Sequence, residues 1–148
     1  MIDWTYDSGV YELVLAAPPC NEIGTTMLAG LQRFLAQVDP DAHTLIVRSG
    51  LRQGFCAGAD LRELYRGLCD TPKEQHGAKI RGFIDEIHDV MDRLDMLPLT
   101  TIGVVGGICF GGGFELALTC DMLIAEKSAR FCFPELRLGI IPGFGGIP

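Results

Sequence analysis

Residues 97–118 constrain the fold more than any other stretch of the chain. They are mostly apolar, yet they hold six glycines, at positions 103, 106, 107, 111, 112 and 113, together with Pro98 and Glu115. A membrane span of this length would need one unbroken apolar helix. The glycines interrupt it, and Glu115 would lie in hydrocarbon. A buried strand at 101–105, a glycine loop and a buried helix over about 112–119 satisfy the same residues.

Glu115 falls just past the glycines, in Gly106-Gly107-Ile108-Cys109-Phe110-Gly111-Gly112-Gly113-Phe114-Glu115-Leu116-Ala117. Glycine bares the backbone, and a helix N-terminus presents free N–H groups to a negative oxygen. A second carboxylate, Glu135, sits in Phe131-Cys132-Phe133-Pro134-Glu135-Leu136, ahead of Gly139-Ile140-Ile141-Pro142-Gly143. N–H donors beside two acid–base candidates suit chemistry that passes through an enolate. The plainer alternatives are a first-turn acid acting on the helix dipole for Glu115 and a surface residue after proline for Glu135.

At 148 residues the chain suits one domain with a sizeable core, and 48% hydrophobic against 21% charged residues marks it as globular. Its net charge of −7 and the lack of a basic stripe argue against nucleic acid or an anionic membrane surface as partner. An anionic substrate would need local cations working against the overall field. The six cysteines (20, 56, 69, 109, 120 and 132) form no C-x-x-C pair, and His43, His76 and His88 have no ligand spacing to them, so no metal site is expected. Met1-Ile2-Asp3-Trp4 lacks a signal-peptide pattern, and reduced thiols in a cytoplasmic protein are the expectation.

Strands are expected at 2–6 and 10–16, joined as a hairpin at Asp7-Ser8-Gly9. Thr25 or Thr26 would cap a helix to about residue 38, with Met27, Leu28, Leu31, Phe34, Leu35 and Val38 on its apolar face. Residues 44–48 read as a strand, 53–60 as a glycine-containing turn, and Asp60 as the cap of a short helix through residue 66. Thr71-Pro72-Lys73-Glu74 reads as the start of a helix to about residue 95, with Thr71 as cap. Its apolar positions are Ile80, Phe83, Ile84, Ile87, Val90, Met91 and Leu94. Strands at 122–125 and 131–133 follow. A hairpin and then strand–helix alternation implies an α/β fold with a largely parallel sheet.

The glycine loop is neither a P-loop, since no Lys-Ser or Lys-Thr follows, nor a dinucleotide fingerprint, since the third glycine is missing. There is no G-x-S-x-G elbow. Four segments, in order, instead resemble the crotonase (enoyl-CoA hydratase/isomerase) superfamily. They are Pro18-Pro19-Cys20-Asn21-Glu22-Ile23, Gly54-Phe55-Cys56-Ala57-Gly58-Ala59-Asp60-Leu61, the Gly106 to Ala117 segment, and Phe133-Pro134-Glu135-Leu136 through Gly146. Any one would be weak, because glycine-rich loops are common; the ordered set spans nearly the whole chain.

The resemblance implies a crotonase-like ββα spiral, with residues 1–148 as one core domain truncated at its C-terminus. Further helices would close the pocket and build a homotrimer or dimer of trimers in the full-length protein, and their absence would leave an exposed apolar flank. It implies an oxyanion hole from the backbone N–H groups of Ala59 and Gly112, and two catalytic glutamates, Glu115 and Glu135. Ala57, Asp60 and Leu61 would line the coenzyme A channel, with Cys20 and Gly111 beside the substrate. Among Arg48, Arg52, Arg62, Arg66, Lys73, Lys79 and Arg81, Arg62 is the best-placed cation for the coenzyme A phosphates. The implied activity is hydration of an enoyl-CoA thioester, with no cofactor beyond the coenzyme A of the substrate. Double-bond isomerisation, another crotonase reaction and a non-catalytic acyl-CoA-binding role are the alternatives. Ile147 stands where the family usually has threonine.

Overall fold

In the computed structural model, residues 1–146 are described; Ile147, and with it the departure from threonine, lies outside the described residues. The chain opens with β1 (Ile2–Asp7) and β2 (Val10–Leu15), paired antiparallel through a two-residue turn. Ser8 and Gly9 have φ of 49° and 82°, the paired positive values that match a tight hairpin to the strand twist. β3 (Thr44–Ser49), β5 (Thr100–Val105) and β7 (Met122–Ala125) extend the sheet in parallel, in the order β1-β2-β3-β5-β7.

Alternation and register place one buried row across this sheet. Tyr11, Leu45 and Thr101 are register partners, as are Leu13, Val47 and Gly103. Helix α1 (Thr25–Leu35) turns Met27, Leu28, Leu31 and Phe34 inward. Phe34 meets Trp4 and Tyr11 edge-on, with centroids 5.7 and 5.3 Å apart. Helix α3 (His76–Asp95) buries Ile87, Val90, Met91 and Leu94, while Ile80, Phe83 and Ile84 at its start are only half-buried. Fully burying a side chain of this kind contributes about 1.5–3 kcal/mol.

Two expected caps are supplied differently. Gly24 precedes α1, and neither threonine caps it. The carboxylate of Glu63, from α2 (Leu61–Cys69), accepts the Thr25 N–H at 3.2 Å and also the Thr25 hydroxyl. Thr71 donates its hydroxyl to the Gly67 carbonyl at 2.7 Å, closing α2. A 3-10 turn at Lys73–Gln75 then leads into α3. Asp60 caps α2 as expected, accepting from Arg62 N at 3.0 Å and Glu63 N at 2.9 Å.

The segment read as a turn at 53–60 and the glycine loop conceal two short strands, β4 (Gly54–Cys56) and β6 (Ile108–Phe110). With β8 (Arg130–Cys132) they form a second, parallel sheet in the order β4-β6-β8. α4 (Gly112–Leu118) follows β6. Exposed apolar side chains concentrate late in the chain, at Met122, Ile124, Leu136, Leu138, Ile140 and Ile141, which agrees with the expected apolar flank. No helix among the described residues is long and apolar enough to cross a membrane.

Thr101, buried in the sheet, donates N–H and Oγ–H to Asp121 Oδ2 at 2.7 and 2.9 Å, and receives Asp121 N–H on its hydroxyl at 2.9 Å. These bonds, led by the Thr101 backbone N–H, hold the Asp121 carboxyl below its ordinary value of 3.8. A lowered native value adds stability that is present above 3.8 and lost as the pH falls through the native value. Urea midpoints measured across this acid range should fall with pH, and the fall should be shallower in Asp121→Asn.

All six cysteines are free thiols. Burial is the main cause that pushes Cys56, Cys109 and Cys120 up to about 12, and it also raises Cys20. Only Cys69 and Cys132 are exposed. At about pH 8 a disulfide-exchange reagent, which needs the thiolate, should label those two in the native protein and the other four only on unfolding.

Candidate active site

The strands β4, β6 and β8 run parallel, so their C-terminal ends open on the same side. The segments that leave them, residues 57–60, 111–112 and 133–135, are thereby gathered together. Gly111 N donates to Cys132 O at 2.9 Å, which brings the third segment against the second.

Ala59 is set by a single parallel bridge to Ile23. Ile23 N donates to Gly58 O at 2.7 Å and Asp60 N to Ile23 O at 2.8 Å. This bridge uses the neighbours of Ala59 and leaves its own N–H without an acceptor among the described residues. Gly58 has φ of +95°, and a Cβ there would lie 3.0 Å from Phe110 O and 3.3 Å from Gly112 N. Glycine thus lets the loops carrying Ala59 and Gly112 touch. Gly112 opens α4, and its N–H also lacks an acceptor among the described residues. A Cβ on Gly113 would drive into the backbone of Cys56, so the helix starts where it does only because that position is bare.

The two carboxyls adjoin the same turn in different surroundings. Glu115 is 3% exposed; its N–H donates to Gly111 O at 3.0 Å, and its Oε1 accepts from Phe144 N at 2.7 Å and Gly146 N at 2.9 Å. Glu135 lies in a 3-10 turn at Pro134–Leu138. A Cβ on Gly111 would come 2.5 Å from Glu135 Oε1, and Glu135 Oε2 is buried with no partner among the described residues. Two carboxyls beside two unpartnered N–H groups can move protons next to a developing oxyanion.

The remaining expected residues divide. Ala57 and Leu61 flank the Ala59 loop, half-buried and exposed. Asp60 is occupied as a helix cap. Arg62 donates to Glu22 Oε1 at 2.6 Å, so its guanidinium is paired, although 63% exposed. Cys20 is buried, and its carbonyl accepts Ala57 N–H at 2.9 Å.

In the sequence Asn21 is only one residue of the first loop; in the structure it has a large part. Fully buried with φ of 54°, its side chain accepts Ala17 N–H at 2.7 Å and donates to Ser49 Oγ and Phe55 O at 2.8 Å each. Asparagine tolerates this left-handed backbone better than other side chains, which is the one local signal it offers after Pro18-Pro19. It fastens the first loop to the ends of β3 and β4.

This chain matches the Enoyl-CoA hydratase/isomerase family model over residues 5–148. It belongs to the enoyl-CoA hydratase/isomerase family, the crotonase superfamily. It is 34% identical over 143 residues to human Enoyl-CoA hydratase domain-containing protein 2, mitochondrial, covering 95% of this chain and 46% of that protein. Identity to the Enoyl-CoA isomerase/hydratase fer4 of Mycosarcoma maydis is 36% over 151 residues, covering 94% and 52%. The crystal structure of an enoyl-CoA hydratase from Bacillus anthracis superposes with a TM-score of 0.84 at 33% identity, covering 98% of this chain and 55% of that one. The chain therefore spans about half the length of the crotonase relatives it matches.

Asn21→Ala should cost roughly 2–4 kcal/mol in chemical denaturation, from unpaired buried groups and an alanine forced to positive φ.

Proposed function

We propose that the protein carrying this chain is an enoyl-CoA hydratase. The observation that carries this reading is the unequal setting of two carboxyls, Glu115 held by two backbone N–H groups and Glu135 at Gly111 with a buried oxygen unpartnered among the described residues, together with the N–H groups of Ala59 and Gly112, which lack acceptors among the described residues. The thioester oxygen sits between those two N–H groups. Glu115, fixed in place, orients a water and takes its proton as the oxygen bonds to C3. The C2=C3 electrons move toward the thioester, and charge gathers on its oxygen. Glu135, as the carboxylic acid, then delivers its proton to C2, and the proton left on Glu115 passes back to Glu135 before the next turnover, so that the net change is one water added across the double bond. Loss of one donor to such an oxyanion costs about 3–4 kcal/mol.

Ala57, Asp60, Leu61 and Cys20 shape the path for coenzyme A, and Arg62 would exchange Glu22 for a phosphate. No cofactor is needed beyond the coenzyme A of the substrate, and the assembled protein is a trimer or a dimer of trimers. Isomerisation, in which one glutamate shuttles a proton, uses the same groups. The different settings of Glu115 and Glu135 favour two separate duties instead.

Crotonyl-CoA turnover, followed by loss of enoyl absorbance in the chain and in any longer polypeptide that contains it, tests this reading. Glu115→Gln and Glu135→Gln should each lower kcat by about 10²–10⁴. Binding of the thioester without turnover would move the assignment to another crotonase reaction or to a binding role.

A further inference from the structure

We propose that His88, on α3, is a positioning residue for Glu115 and acts through one peptide plane. The inference rests on the catalytic reading of Glu115. His88 Nε2 lies 2.6 Å from the Gly143 carbonyl oxygen, and the next N–H along the chain, that of Phe144, donates to Glu115 Oε1 at 2.7 Å. These are the two ends of a single peptide unit. Its C=O and N–H are locked in one plane, so holding the oxygen aims the hydrogen. A carbonyl can only accept, so the imidazole carries its proton on Nε2, as either the neutral ring or the cation. Donation to the carbonyl also polarises the N–H that holds the carboxylate.

The backbone of the loop does little to fix itself. Gly143, Gly145 and Gly146 interrupt it, and Gly145 has φ of +108°. Glycine-rich backbone keeps wide conformational freedom unless contacts remove it. α3 supplies a second contact, Phe83 meeting Phe144 edge-on at 6.4 Å between centroids. A Cβ on Gly112 would meet the Phe144 ring, so the same loop lies against the start of α4. α3 itself is anchored by Ile87, Val90, Met91 and Leu94 in the core. Position therefore passes from the core through His88 and the 143–144 peptide to the Glu115 carboxylate.

The test has two arms. In amide hydrogen exchange by NMR, His88→Ala should lose protection at Phe144, while core amides such as Leu13 and Leu45 stay protected. His88→Gln, whose side-chain amide can still donate, should restore it. In turnover, His88→Ala should lower kcat about tenfold with KM little changed, a small displacement at a reacting group being enough for such a loss. In the Glu115→Gln background it should add nothing. Unchanged Phe144 protection in His88→Ala would overturn the proposal, as would an equal loss of turnover with and without Glu115. If the unaltered protein shows no hydration but Phe144 protection still depends on residue 88, the hydratase reading fails and the positioning stands.

Discussion

Three strands of three residues each hold the candidate site together. β4, β6 and β8 are too short to be stable alone, and a sheet this small survives only when packed against other structure. Phe55, Cys56 and Cys109 bury it in the common core. Gly54 permits its tightest approach, because a Cβ there would come 2.6 Å from Ile108 O. Asn21 fastens β4 to the first loop and to β3, and the Ile23–Ala59 bridge carries that loop alongside residues 57–60. Once the three strands run in parallel, the glycine turn, the Ala59 loop and Glu135 have no choice but to meet.

The long elements and the strands β7 and β8 were legible, and β4 and β6 were not, for a physical reason. α1 and α3 bury residues spaced by three and four, and β2, β3 and β5 alternate, so each shows a period. A strand this short shows none, and while β8 stood out as a Phe-Cys-Phe run, β4 and β6 lie inside stretches whose glycines read as turn. The glycines mark the site because each excluded side chain would strike a specific neighbour: Gly58 the Gly112 loop, Gly111 the Glu135 carboxyl. Asn21, Glu22 and His88 were given no part, since their partners lie far away in sequence: Phe55 for Asn21, Arg62 for Glu22, Gly143 for His88. Local spacing carries no trace of such bonds. Thr71 shows the converse, a good local cap signature overridden by a nearer carbonyl.

Charge around the first loop is arranged for order. Arg62 pairs with Glu22, Glu63 caps α1 from α2, and Asp60 caps α2, so three acids and one guanidinium brace the Ala59 loop from outside. The ion pair is worth at most about 1 kcal/mol, and a helix cap about 0.5–2 kcal/mol. Their effect lies in fixing where the backbone stands.

The two carboxyls at Gly111 are one problem solved in two ways. The proposed water-orienting group must not wander, and Glu115 is buried and held by the amides of Phe144 and Gly146. The proposed proton donor must not be tied up elsewhere, and Glu135 Oε2 is enclosed and unclaimed among the described residues. Leaving a buried oxygen unpaired costs about 1–3 kcal/mol. The fold tolerates that cost at one carboxyl while binding the other firmly. The proposed division of labour, one acid and one base, requires that asymmetry, and two equivalent carboxylates would not supply it.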